Sequence, residues 1–212
     1  MSSSVSWDHS LREFLQQAGS SSPTPGGGSV AAVAAALGAS MTSMVGNLSQ
    51  GEKFALIQPQ IDEAVFKMNS LIARCEELLQ ADIASFNRYM DALKLPKGTD
   101  EEKFARRGAL HEATIQAIEV PLRIVELCRD GLVCTHGIAA SCNKNVISDL
   151  GIGAILFEAA AQSALLTVEI NLASFKDAEL KLHYEHKLRE LIDEVGELKG
   201  KALQITRERI WS

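Results

Sequence analysis

Residues 20–46 read SSSPTPGGGSVAAVAAALGASMTSMVG. Two prolines and three consecutive glycines run straight into a stretch of small apolar residues. A glycine triplet has a large backbone entropy to lose on ordering, so it marks a place where something approaches the main chain closely. The stretch behind it, residues 29–47, predicts a helix that is small on every side and lets neighbouring backbones come near. Ser29 stands where it can cap that helix, and the first free N–H groups there favour an anion or a polar ring edge. The plainer alternative is a Pro-Gly linker entering a core helix.

The remaining chain supplies helices to pack around this one. Residues 7–18 place Trp7, Leu11, Phe14 and Leu15 at helical spacing, with Gly19 as the stop. A long helix is expected from about Pro59 to Leu93, ended by LPKGTD, and Thr99 or Asp100 starts the next, with Pro121 as a kink or break. Shorter helical material covers 122–142. SCNKNVISDLG then reads as a turn into a helix over 149–173 that is apolar nearly all round, and 177–208 is amphipathic, with Leu180, Tyr184, Leu188, Leu191, Val195 and Leu198 on one stripe. The expected fold class is all-α, a multihelical bundle whose Ala/Gly-rich central helices are buried. Residues 1–212 form one domain in this reading, with 1–6 disordered.

Bulk composition agrees with that. The chain is 46% apolar and only 5% aromatic, which suits close-packed helices better than strands. A net charge of −6 argues against nucleic acid as a partner, and an anionic substrate would need a local basic patch. Cys75, Cys128, Cys134 and Cys142 show no CxxC spacing, so neither a zinc knuckle nor a disulfide framework is indicated, and a reduced, cytoplasmic setting is expected. MSSSVSWDHS lacks the pattern of a signal peptide, and residues 30–46 suit a buried helix better than a membrane span.

Polar residues interrupt the pattern at three places. On the long helix the apolar stripe runs Ile61, Val65, Met68, Ile72, Cys75, Leu79, then Asp82, then Phe86 and Leu93. A carboxylate on the core-facing side tends to a raised pKa, which suits proton transfer; the alternative is an Asp paired to a neighbouring Arg. In NKNVISD, Asn143, Asn145, Ser148 and Asp149 crowd the turn before the second apolar helix, where capping is the commonest role. Within that helix Glu158, Gln162 and Glu169 share a face and Asn171 points elsewhere. Glu179, His183 and His186 have metal-compatible spacing, but no further ligand is identifiable, a solvated helix face explains them, and no metal is expected.

Three of these stretches occur in order: PTPGGGSVAAVAAALGASMTSMVGNLS, the Asp82–Lys103 segment D-x-x-S-F-x-x-Y-M-x-A-x-x-L-P-K-x-T-x-E-E-K, and Asn143 with Ser148-Asp149. Together they resemble the cyclodeaminase/cyclohydrolase family, over about residues 8–208. The resemblance implies a folate-binding helical enzyme that forms a homodimer or higher homo-oligomer, with Asp82 catalytic and a tetrahydrofolate derivative, polyglutamylated or not, as substrate. No cofactor, nucleotide, flavin or membrane is implied. Gly26, Gly27, Gly28 and Ser29 would bring backbone donors to the substrate. Asn143 and Asp149 would hold the pterin, Lys97, Arg106 and Arg107 would attract the glutamate tail, and Asn171 sits where family-typical polar residues occur. With no formimino-transferring domain in the sequence, the expected reaction is 5,10-methenyltetrahydrofolate cyclohydrolysis. The alternatives are 5-formiminotetrahydrofolate cyclodeamination and a non-catalytic folate-binding helical protein.

Overall fold

The computed structural model describes residues 5–212. Its helices are α1 (Leu11–Ala18), α2 (Gly27–Asn47), α3 (Gln58–Lys94), α4 (Asp100–Ala139), α5 (Ile147–Ser174) and α6 (Ala178–Trp211), with no strand among the described residues. This is the all-α bundle that the composition and periodicity imply. Short 3₁₀ turns, Glu52–Ile57 and Lys144–Val146, lead into α3 and α5.

α2 is wedged among α3, α4 and α5, and runs antiparallel to α3 and α5. Gly28 abuts Asp82 of α3 while Gly46 abuts Val65; Gly27 faces Thr167 of α5 while Gly38 faces Gly153. The small residues permit this. A Cβ on Gly38 would stand 3.1 Å from the Gly153 carbonyl oxygen, and one on Gly153 would stand 3.0 Å from that of Gly38, so the two backbones touch where side chains would normally separate them. α4 returns along α3, with Arg106 donating to the Leu93 carbonyl at one end and Gln60 to the Gly137 carbonyl at the other. α6 lies on α4 and α5. Its Tyr184 hydroxyl donates to Glu119, and Arg209 donates to the carbonyls of Ala139 and Cys142.

Helix ends follow local chemistry. Ser10 with Glu13 and Thr99 with Glu102 form reciprocal capping boxes, and Asp177 accepts from the Leu180 N–H. Because Ser10 caps α1, the first helix starts at Leu11 and Trp7 precedes it. Of the stretch expected to be disordered, residues 1–4 lie outside the described residues, whereas Val5 is buried and its carbonyl accepts from Gln80. All four cysteines are free thiols, three of them buried.

Pro121 neither kinks the chain into separate pieces nor ends a helix: α4 is continuous for 40 residues through it. Proline has no N–H to give the carbonyl four residues back, which is that of Ala117. Asn171 of α5 makes good that loss, its Nδ2 donating to the Ala117 carbonyl at 2.9 Å and to the Thr167 carbonyl at 2.8 Å. An orphan carbonyl in the middle of a packed helix is thus met by a polar residue from the neighbouring one. Asn171→Ala should lower unfolding stability by about 1–3 kcal/mol, the usual penalty for an unsatisfied buried group. In a Pro121→Ala background, where the helix supplies its own donor, the penalty should shrink measurably in urea titrations; strictly additive effects would refute the pairing.

Candidate active site

Asp82 lies on α3 against the first turn of α2. The Ser29 hydroxyl donates to Asp82 Oδ2 at 2.7 Å, and the Ser29 backbone N–H also bonds to the carboxyl group. Ser29 is fully buried and Asp82 half-buried. Gly28 is the residue that allows the approach: a Cβ there would fall 2.2 Å from Asp82 Oδ1 and 2.6 Å from Cγ. Gly27 differs, since a Cβ there would make only an ordinary 3.4 Å contact with Thr167 Oγ1, and Gly26 is the N-cap residue, with no side chain to offer. The expected capping by Ser29 is therefore reversed. α2 starts two residues earlier than its sequence suggests, Ser29 lies inside the first turn, and a carboxylate from α3 sits at the helix N-terminus.

The electrostatics pull in opposite directions. Burial pushes the Asp82 carboxyl above its ordinary value, while the two bonds from Ser29 lower it by less. A carboxylate held by two donors at a helix N-terminus, yet short of water, is fixed in position and ready to accept a proton.

Thr167 and Asn171, one turn apart on α5, stand at this same end of the bundle, Thr167 opposite Gly27. With both Nδ2 hydrogens used on carbonyls, the Asn171 amide has a fixed sense and its Oδ1 remains an acceptor. Farther along α3, Arg88 donates to Gln116 of α4. No local pattern singles out Thr167 or Gln116, because a threonine or glutamine within a helix is unremarkable until its neighbours are known.

The basic residues cluster beyond the C-terminal end of α3. Lys97, Lys103, Arg106 and Arg107, with Asp100, line an open hollow of about 520 Å³. Arg106 Nε is buried without a hydrogen-bond partner. Lys94, the last residue of α3, is twelve residues from Asp82, about 18 Å along the helix axis.

Asn143 and Asp149 are not brought to this end. Asn143 donates through Nδ2 to the Leu48 carbonyl and through its N–H to Ser49 Oγ, and its Oδ1 accepts from the Asn145 N–H. It ties the corner before α5 to the C-terminal end of α2, about 30 Å from Asp82 by the length of the 21-residue α2. Asp149 lies in the first turn of α5, close to that corner, with Val146 rather than Ser148 or Asp149 at the N-cap. One protomer therefore cannot place these two residues around a substrate held at Asp82. The other interruptions are on open faces: Glu169 is exposed and Glu158 and Gln162 are half-exposed, while Glu179, His183 and His186 lie on the solvent side of α6, His186 pairing with Glu190.

The family model described as formiminotransferase-cyclodeaminase matches residues 10–201. A methenyltetrahydrofolate cyclohydrolase from Methylorubrum extorquens is 32% identical over 204 residues, 96% of this chain and 98% of that one. The formimidoyltransferase-cyclodeaminase of Mus musculus is 35% identical over 188 residues, 88% of this chain and 35% of its own, so the present chain spans about a third of that relative. The crystal structure of formiminotetrahydrofolate cyclodeaminase from Thermotoga maritima has the same fold, with a TM-score of 0.87 over 96% of this chain and 98% of the other at 24% identity. With nearly its whole length matched by the family model, this chain belongs to the formiminotransferase-cyclodeaminase family.

Proposed function

We propose that the protein is a 5,10-methenyltetrahydrofolate cyclohydrolase in which Asp82 carries the protons. The observation that supports this most is the Ser29–Asp82 pair, a half-buried carboxylate fixed at a helix N-terminus through Gly28. The activity is carried over from the M. extorquens relative, which is matched along almost its entire length. Asp82 takes a proton from water as the oxygen attacks the methenyl carbon. It then gives that proton to N5 as the N5–carbon bond of the tetrahedral adduct breaks. The adduct's hydroxyl proton leaves through the same carboxylate to solvent, so 10-formyltetrahydrofolate and one proton are the products. The charge of Asp82 also favours the amidinium-like cation of the substrate. The equation balances with water and one proton carrier, the folate being substrate and not cofactor.

A second reading, 5-formiminotetrahydrofolate cyclodeamination, draws on the relatives that bear that name. It uses the same carboxylate, since N10 must lose a proton and ammonia must leave with one. Spectrophotometry at the methenyl absorbance separates the two: loss of methenyl substrate in water for the first, its appearance from the formimino compound for the second.

The glutamate tail runs along α3 to Lys97, Arg106 and Arg107, whose distance from Asp82 is beyond the first glutamate and suits the later residues of a polyglutamyl tail. Oligomerisation is the other element. α2 leaves Val30, Leu37 and its C-cap Leu48 exposed, with Ala34, Met41 and Met44 half-buried between them at heptad spacing, and α5 leaves Ile152, Ile155, Leu166 and Ile170 exposed. Leu37 is 52% exposed at the midpoint of α2. Both helices are long and apolar enough to cross a membrane by length and composition alone, yet α2 is packed on three sides, and a homodimer covers the remaining stripe. A twofold axis near Leu37 lays opposite ends of the two α2 helices side by side, and across that interface Asn143 and Asp149 come to the Asp82 end.

Asp82→Asn should lower kcat by about 10²–10⁴-fold with the fold intact. Stability should respond with a definite sign. Because the native carboxyl keeps its proton to higher pH than the ordinary 3.8, the Asp82 contribution falls as pH rises from there through the raised native value and is flat above. Asp82→Asn should remove that slope and be no less stable at neutral pH. Gly28→Ala should act like Asp82→Asn on kcat by displacing the carboxylate, while Gly27→Ala should stay within about threefold of the parent; equal effects at the two glycines would contradict the geometry.

Arg106→Ala should raise KM for a triglutamyl substrate by at least about tenfold, the order of one charged hydrogen bond, and affect a monoglutamyl substrate less. Leu37→Glu should yield monomers in sedimentation at assay concentration and lose activity in proportion. A fully active monomer would dismiss the shared interface.

A further inference from the structure

Residues 5–18 cross the seam between α2 and α3 beside Asp82. They are held by few contacts: Val5 is buried, Gln80 Nε2 donates to its carbonyl at 3.0 Å, and Trp7 and Phe14 pack on the core. α1 itself contains no buried residue, and its Leu11 and Leu15 are exposed. Between this segment and the seam lies a hollow of about 180 Å³, lined among others by Ser6, Trp7, His9, Phe14, Val33 and Leu79. Two of these residues place it next to the reacting centre. Leu79 precedes Asp82 by three residues, about 4.5 Å along α3, and Val33 follows Ser29 by four, about 6 Å along α2.

The lining is chemically specific. Trp7 and Phe14 supply aromatic surface, Val33 and Leu79 aliphatic surface, and His9 a polar group. The Ser6 backbone N–H donates to His9 Nδ1 at 3.1 Å, and a backbone N–H can only donate. Nδ1 is therefore the acceptor, and the ring proton sits on Nε2 as a hydrogen-bond donor. Aromatic and aliphatic walls suit the two faces of a bicyclic heterocycle, and a donor at the rim suits a ring acceptor on its edge.

We propose that the hollow takes the pterin ring of the folate, with Trp7 and Phe14 as binding residues for it. This rests on the cyclohydrolase reading, and direction supplies the argument. A folate is linear, with pterin, the one-carbon bridge between N5 and N10, benzoyl ring and glutamate in order. With the bridge at Asp82 and the glutamate directed along α3 toward Arg106, the pterin must extend the opposite way, toward Leu79. Residues 5–18, held by Val5, Trp7 and Phe14, form the roof over it.

The chain has two tryptophans, and Trp211→Phe leaves Trp7 as the sole emitter without touching the hollow. In that protein, 6-methyltetrahydropterin should quench Trp7 emission saturably and p-aminobenzoylglutamate should not. Trp7→Phe with Trp211 retained measures absorption by the ligand alone. Trp7→Ala and Phe14→Ala should raise KM for methenyltetrahydrofolate at least about tenfold with kcat within about threefold, and Trp7→Phe should restore most of the loss. An enzyme that turns over methenyltetrahydrofolate while Trp7 emission ignores the pterin, or while both alanine variants keep the parent KM, overturns the assignment and leaves the cyclohydrolase reading standing. Saturable quenching by the pterin in a protein with no methenyl turnover supports the assignment and overturns that reading.

Discussion

The backbone contact between Gly38 and Gly153 sets the positions of the other helices. With no side chain on either, α2 sinks against α5 until carbonyl oxygens replace Cβ atoms as the nearest neighbours. That depth allows α2 to touch α3, α4 and α5 together, where a leucine-rich helix would stand off by a side-chain width. It also delivers the N-terminus of α2 to Asp82. The Ala-rich stretch is therefore the means by which a helix end, with its free N–H groups, is carried to a carboxylate on another helix.

Two polar devices let this packing survive. The Asp82 carboxylate occupies the end of α2 and receives the Ser29 donors, so a group that would be costly in a core is partnered and held. Asn171 repairs the gap that Pro121 opens in α4. Both lie at one end of the bundle, together with Thr167 and, farther along α3, the basic hollow. The opposite end is closed by structural bonds: Asn143 to Leu48 and Ser49, and Arg209 to Ala139 and Cys142. The division between the Asp82 end and a fastened end follows from the antiparallel course of α2 against α3 and α5.

The free face of α2 and α5 is the cost of using small residues centrally. A helix apolar all round must be covered all round, and in one protomer the stripe through Val30, Leu37 and Leu48 is not. The same face carries Leu166 and Ile170 close to Thr167 and Gly27, so whatever covers it also borders the Asp82 end.

Much of this protein is determined by sequence alone. Helical periodicity, the capping box at Thr99, the glycine–proline entry to α2 and the position of Asp82 on an apolar stripe are local or single-helix properties, and each is written in spacings of three and four residues. The motifs in order were enough to indicate the family. What tertiary structure alone decided concerns partners on different helices. Ser29 reads as a cap for its own helix, yet its hydroxyl goes to Asp82, 53 residues away. Pro121 reads as a break, and it is harmless only because Asn171, 50 residues later, supplies the missing donor. Gly26, Gly27 and Gly28 look equivalent in a row, but only at Gly28 does another helix fill the space of a side chain. Asn143 and Asp149 look like companions of Asp82 and lie at the far end, because the direction in which α5 runs against α2 is a matter of packing that no local pattern records.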